Sequence, residues 1–232
     1  MDVYKPIVTT FESDEKMYES ATNIAINHIL EVISENGCAR IALSGGETPL
    51  PLYEKIFSNP FIETGLIELY QTDERFVPAD SEDSNQYNIS HCLGDKTDQF
   101  KEKFFIDTSI SMEDSILQYN EIIDSLDGVL FDLTILGISE DGHFASLFPK
   151  GDYLNGFQPH AIHTKAKGGK IKDRISVSIN DILKSDMIIV LLKGEEKRHI
   201  VPQILEGEKV ALDFPAKFLL CHPNVTILES FE

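Results

Sequence analysis

The sequence predicts an α/β protein, a three-layer α/β/α sandwich around a mainly parallel, mixed sheet, with residues 1–232 forming one domain. Two observations carry this reading. Strand-like and helix-like patterns alternate along the whole chain, as they do where a parallel sheet is covered by helices on both faces. In addition, "LFDLTILG" and "MIIVLL" are nearly continuous apolar runs, which suits strands buried on two sides.

The elements follow in order. "SDEKMYESATNIAINHILEVISENG" places Met17, Ala21, Ile24, Ala25, Val32 and Ile33 on one helical face, with Ser13 as N-cap and Gly37 as the stop. "CARIALS" is a strand, and Thr48-Pro49 opens the next helix with proline at a tolerated early position. "LIELYQT" is a strand that runs into a loop from Asp73 to Asp83. Ser84 caps a helix through His91, "KFFID" is a short strand, and Ser111 with Asp114 caps a helix through Leu126. "LFDLTILG" leads through "EDGH" into a short helix. "RISVSI" alternates like a half-buried strand, "NDILKSD" is a turn-helix, and "MIIVLL" is buried. A helix spans about Glu195 to Leu205, kinked or shortened by Pro202, and "NVTIL" is the last strand.

In such sheets ligands bind beyond the carboxyl ends of the strands. Three loops leave strands in that way: Ser44–Thr48, Asp73–Asp83 and Ser139–His143. In "SGGETP", Gly45 and Gly46 leave backbone N–H groups bare, and Thr48 adds a hydroxyl at a helix start. Those are the parts of an anion site, although a plain strand-to-helix turn has the same pattern. Glu47 puts a negative charge in that turn and is expected to point outward or to pair with a neighbouring cation. In "TDER", Asp73 and Glu74 could transfer protons and Arg75 could bind an oxyanion; a solvated charged loop reads the same way. In "SEDGH", His143 can act as a base with Asp141 orienting it, or the stretch is an Asp-Gly turn with a structural histidine. Ser139 is set aside as a nucleophile because its context is GxSxD rather than GxSxG.

Bulk properties narrow the classes. The net charge is −19, so nucleic acid and anionic membranes are poor partners, and an anionic substrate needs a local cluster of cations. Arg174 and Lys197 are candidates for that cluster. Arg174 opens its strand and reaches the same mouth only if that strand runs antiparallel to its neighbours. Lys165, Lys167, Lys170 and Lys172 read as a solvated loop or lid. His28 packs on its helix, while His91, His160, His163, His199 and His222 lack supporting neighbours in the sequence. No apolar run approaches the ~20 residues of a membrane span, and the N-terminal stretch lacks the pattern of a secretory signal. Three widely spaced cysteines, Cys38, Cys92 and Cys221, speak against a disulfide framework or zinc site and for a reducing compartment, the cytoplasm.

Taken in order, "LSGGETPLPLY", "TDERFVPADSEDSN", "LGISEDGHFASLFP", "RISVSI" and "GEEK" resemble the 6-phosphogluconolactonase family over nearly the whole chain. The related glucosamine-6-phosphate isomerase/deaminase family shares the first turn, the Asp-Glu pair and Asp-Gly-His; Arg75 and "ASLFP" favour the lactonase branch. The resemblance implies a Rossmann-like, sugar-phosphate isomerase-type fold and hydrolysis of 6-phospho-D-glucono-1,5-lactone without a cofactor; the sequence shows no metal signature such as HExxH, and a monomer or small homo-oligomer is expected. It implies phosphate on Ser44, Gly45, Gly46 and Thr48 with Arg174 and Lys197, and His143 as general base oriented by Asp141. Arg75 would stand near the reacting end, and Asp73 would hold substrate hydroxyls or Arg75. The sequence departs from the family pattern at Glu47, at Ser139-Glu140 and at Phe144. Two other readings stay open, an amino-sugar phosphate isomerase/deaminase using Asp73 and a non-catalytic sugar-phosphate sensor.

Overall fold

The computed structural model describes residues 2–126, 128–151 and 159–232. Seven strands form the central sheet: β1 (Ile7–Phe11), β2 (Ala39–Leu43), β3 (Ile67–Gln71), β5 (Glu102–Phe104), β6 (Leu133–Gly137), β9 (Met187–Lys193) and β10 (Val225–Ser230). Their spatial order is β1-β10-β9-β6-β2-β3-β5, and every pair is parallel. Strand β9 shows why both faces are covered. Ile188, Val190 and Leu192 enter one core, whereas Ile189 and Leu191 enter the other. Successive side chains of a strand point to opposite faces, so an all-apolar strand needs a layer on each side.

Helices α1 (Asp14–Asn36), α2 (Leu50–Phe57) and α3 (Asn85–Leu93) supply one layer through residues such as Met17, Leu52 and Ile89. Helices α4 (Met112–Asp124), α5 (Ile179–Ile182) and α6 (Ile200–Leu205) supply the other through Tyr119, Ile182 and Ile204. Capping follows the sequence signals. The Ser13, Ser84 and Ser111 hydroxyls accept from backbone N–H groups of the first turns of α1, α3 and α4, which satisfies donors that a helix start leaves bare. Among the described residues no helix is long and apolar enough to cross a membrane.

Several expectations change. The antiparallel strand inferred for Arg174 exists, but it lies in a second sheet of order β4-β8-β7, where β4 is Asp73–Arg75, β7 is Ala161–Lys165 and β8 is Asp173–Val177. Residues 73–75, read as loop, are thus a strand; three charged residues hide it from an apolar pattern. Among the described residues, no helix follows His143 within residues 144–151. Phe144 instead makes bridges with Ile138 and Leu147, and Ala145 has φ 46°, which a right-handed helix does not allow. The stretch from Glu195 is a 3₁₀ turn, Glu195–Lys197, followed by the separate α6, so the break precedes Pro202. Most of the remaining histidines do have partners: His160 sits 2.9 Å from both Asp124 and Asp181, His163 is 2.9 Å from Asp173, and His199 and His222 meet backbone carbonyls.

Two contacts bind the layers where β2 and β3 end. Glu74 is 1% exposed. Its carboxylate accepts from Gln71 Nε2, Arg75 N, Ser84 Oγ, Asn85 N and Gln86 N at 2.6–3.1 Å, joining β3, β4 and the first turn of α3. Beside it, Gly45 packs on Asn85, and a Cβ at residue 45 would overlap the Cβ of Asn85.

Glu74→Ala leaves those donors buried without an acceptor, and we expect a loss of about 2–4 kcal/mol, read as a lower urea midpoint at unchanged m-value. Gly45→Ala must separate the turn from α3. It should cost about 1–3 kcal/mol and weaken orthophosphate binding measured by calorimetry; unchanged stability and affinity would show that the two elements are not tightly coupled.

Candidate active site

The carboxyl ends of β2, β3, β6 and β9 open on one side of the sheet. The chain runs from β2 to β3 in one direction and reaches β6 on the other side of β2, so β2 flanks the switch point where such sheets bind ligands. A cleft of about 730 Å³ lies there. Its lining includes Ser44, Gly46 and Thr48 from the first turn, Asp73 and Arg75 from β4, Asp141 and His143 from the loop after β6, and Arg174 and Lys197. The cleft thus gathers every candidate site residue from the sequence except Gly45, which lies beneath the turn against α3.

The turn after β2 is more divided in its duties than its sequence suggests. Ser44 is buried, its N–H donates to Tyr53 Oη at 3.0 Å, and the Tyr53 hydroxyl donates to Ser44 O at 2.8 Å. Its hydroxyl lies 2.9 Å from Thr72 Oγ1. Ser44 therefore anchors the turn and does not present a free donor. The amides of Gly46, Glu47 and Thr48 have no partner among the described residues. Glu47 is exposed, is among the residues that line the cleft and forms no ion pair among the described residues, so the expected pairing with a neighbouring cation is not formed.

Strand β4 places its charges by alternation. Asp73 and Arg75 line the cleft, while Glu74 turns to α3. Asp73 is 7% exposed. Its Oδ2 accepts from Ser146 Oγ at 2.6 Å and its Oδ1 from Thr72 Oγ1 at 3.1 Å; the link to Arg75 considered from the sequence is not formed. A polar chain therefore runs Tyr53, Ser44, Thr72, Asp73, Ser146 along this part of the site, and Ser146 N continues it to Ser176 Oγ on β8 at 3.3 Å.

Arg75 stands opposite Arg174 in the antiparallel pair. Its Nη1 donates to Asp83 O at 2.9 Å, and Arg174 Nη2 donates to Ile171 O at 3.0 Å. Arg174 Nε is buried with no partner among the described residues. Burial first, and the Arg75 charge second, push the Arg174 guanidinium below its ordinary value. Lys197 lines the cleft without a side-chain partner among the described residues. Of the four lysines between 165 and 172, only Lys167 lines the cleft, with its Nζ on Pro149 O at 2.7 Å.

The loop after β6 carries the titratable pair. His143 Nδ1 lies 2.6 Å from Asp141 Oδ1. Burial works to raise the Asp141 carboxyl, but the hydrogen bond and charge of His143 outweigh it and hold the group below its usual range. The Phe148 ring lies 4.6 Å from the imidazole, centroid to centroid. Gly142 has φ 84°, and a Cβ there would also overlap the Phe214 ring, so two constraints keep this turn tight. Sequence reasoning gave no site role to Ser146, Asn85 or Phe148. Serine, asparagine and phenylalanine in loops carry no pattern of their own, and only the fold shows what they touch.

The chain matches known proteins over most of its length. It is 32% identical over 178 residues to a 6-phosphogluconolactonase of Thermotoga maritima, covering 76% of this chain and 79% of that protein. It is 26% identical to a glucosamine-6-phosphate deaminase of Clostridium beijerinckii, with 92% of this chain and 93% of that one covered. A crystal structure of a 6-phosphogluconolactonase from Shewanella baltica superposes with a TM-score of 0.88 over 99% of this chain and all of that one, at 23% identity, a likeness of fold. The model of the glucosamine-6-phosphate isomerases/6-phosphogluconolactonase family matches residues 12–227, and the chain belongs to that family.

Proposed function

We propose that the protein hydrolyses 6-phospho-D-glucono-1,5-lactone to 6-phospho-D-gluconate, with His143 as the base that activates water. The observation that carries the reading is the cross-strand pair of Arg75 and Arg174 in the same cleft as the Asp141–His143 pair. Like charges directly opposite on a ladder are destabilising, and a buried guanidinium nitrogen without a partner costs more. An anionic substrate removes both costs. The chain as a whole carries −19, so these cations are the local exception that a sugar phosphate needs.

In this reading the amides of Gly46, Glu47 and Thr48 at the start of α2 bind the phosphate, with Arg174 and Lys197 adding charge. Gly45 lets the turn sit close to α3, and Ser44 holds it through Tyr53 and Thr72. Asp141 accepts the Nδ1 proton of His143, so the Nε2 lone pair, which meets Ser139 Oγ at 3.1 Å, takes a proton from the attacking water when that water replaces the serine hydroxyl as its partner. Arg75 faces the negative charge that develops on the carbonyl oxygen. No covalent nucleophile is required, because a lactone is already reactive and a fixed phosphate orients C1 toward the water. Three free cysteines suit a reducing compartment, and we place the activity in the cytoplasm.

The deaminase reading assigns proton transfer to Asp73. Both carboxylate oxygens of Asp73 already accept from buried hydroxyls, which suits a fixed anchor better than a proton carrier. That contact favours the lactonase.

The test is lactone loss measured against the spontaneous rate, beside ammonia release from glucosamine 6-phosphate. We expect acceleration in the first assay only; the opposite pattern would overturn the reading. His143→Ala should lower kcat by about 10²–10⁴-fold. Arg174→Ala should act mainly by raising KM. Glu47→Ser should leave kcat intact and modestly tighten binding of the phosphate end, since it removes a negative charge at the rim; a large loss of turnover would place Glu47 in the chemistry.

A further inference from the structure

The loop after β6 aligns three groups. His143 Nδ1 meets Asp141 Oδ1 at 2.6 Å, and His143 Nε2 meets Ser139 Oγ at 3.1 Å. An ionised carboxylate only accepts, so Nδ1 carries the ring proton and Nε2 presents its lone pair. With that tautomer, the Ser139 hydroxyl is the donor of the 3.1 Å contact. Ser139 N donates to His143 O at 2.9 Å, and Gly142 N donates to Ser139 O at 2.8 Å, so the backbone closes the loop on itself. All three residues line the cleft, and Phe148 packs against the imidazole. The sequence context GxSxD set Ser139 aside, but a serine–histidine–carboxylate triad is recognised by geometry and roles, not by sequence position. A nucleophile within about 2.6–3.2 Å of a base that a third group orients is the arrangement of covalent acyl transfer.

We propose that Ser139 is a nucleophile, and that Ser139, His143 and Asp141 give the cleft an acyl-transfer activity toward small carboxylic esters, beyond the water-mediated opening of a lactone. In the first half, Ser139 Oγ attacks the ester carbonyl carbon while its proton passes to His143 Nε2. The bond to the leaving oxygen breaks, and that oxygen takes the proton from His143. In the second half, water gives a proton to Nε2 and attacks the acyl carbon. The bond to Ser139 Oγ breaks, and the serine recovers its proton from His143. Atoms and charge balance with water as the only co-reactant. Arg75 and Arg174 line the same cleft and select esters whose acid part bears hydroxyl or anionic groups.

The test uses the whole chain with two probes, p-nitrophenyl acetate and an alkyl fluorophosphonate. We expect one fluorophosphonate adduct by intact mass, mapped by peptide digestion to Ser139 and slowed by 6-phosphogluconate. His143→Gln and Asp141→Asn should each slow labelling and p-nitrophenol release by about 100-fold or more, and Ser139→Ala should remove the adduct. An adduct elsewhere, no adduct, or unchanged labelling in both the His143 and Asp141 variants overturns the proposal. Faster lactone hydrolysis by Ser139→Ala, with no labelling of the parent chain, would make the hydroxyl a cap on Nε2 and also overturns it. The probes do not involve the lactone. Failure here therefore leaves the lactonase reading standing, and labelling of a chain inactive on lactone would separate the two in the other direction.

Discussion

Glu74 is 1% exposed, and a buried carboxylate is tolerable only where donors replace the water it has lost. Burial lifts its carboxyl above the ordinary glutamate range, while the Gln71 side chain and the amides of Asn85, Gln86 and Arg75 pull it back. Satisfying that one group decides the local path of the chain. The first turn of α3 must end on it, so α3 is docked against the end of β3. Since Glu74 points to the helix, the pleat of β4 sends its neighbours Asp73 and Arg75 to the opposite face, into the cleft. Gly45 then lets the turn after β2 pack on the same helix start through Asn85. One buried carboxylate thus orients a guanidinium, a second carboxylate and the turn after β2 together.

The second sheet explains how an acidic protein concentrates cations. Strand β4 leaves the central sheet and pairs with β8, so Arg75 and Arg174 come from segments about a hundred residues apart in sequence and still stand directly opposite. Like charges directly opposite on a ladder cost stability, so under the proposed function a bound anion would tighten this sheet as well as occupy the cleft. The hairpin turn between β7 and β8 carries Lys167 to the rim, which adds a third cation from the same sheet.

Much of this was legible in the sequence because the central sheet is written in long apolar runs and its helices in capping serines. Ser13, Ser84 and Ser111 mark helix starts correctly, and the three loops named from "SGGETP", "TDER" and "EDGH" do meet in one cleft. What stayed hidden was structure made by partners rather than by pattern. Strand β4 is three charged residues, readable as a strand only once β8 lies beside it. The segment after His143 has apolar residues at a helix-like spacing, yet Ala145 at φ 46° breaks the helix in favour of a tight return. Ser44 looked like a phosphate ligand from its position, but Tyr53, nine residues on, takes both its backbone groups, a contact that no local reading supplies.

The polar chain along the site bears on what Asp73 does. Thr72 has one hydroxyl proton, and Asp73 Oδ1 and Leu43 O are its two acceptors, at 3.1 and 3.3 Å. Donation to the charged acceptor is the stronger choice. With Thr72 donating to Asp73, Ser44 Oγ must donate to Thr72, since each contact needs one proton. Ser146 Oγ donates to the other oxygen of Asp73 from the opposite side. The protons of three hydroxyls thus run toward one carboxylate. Asp73 therefore acts as a fixed post between the turn after β2, reached through Thr72 and Ser44, and the loop after β6, reached through Ser146, and so sets the separation between those two walls of the cleft.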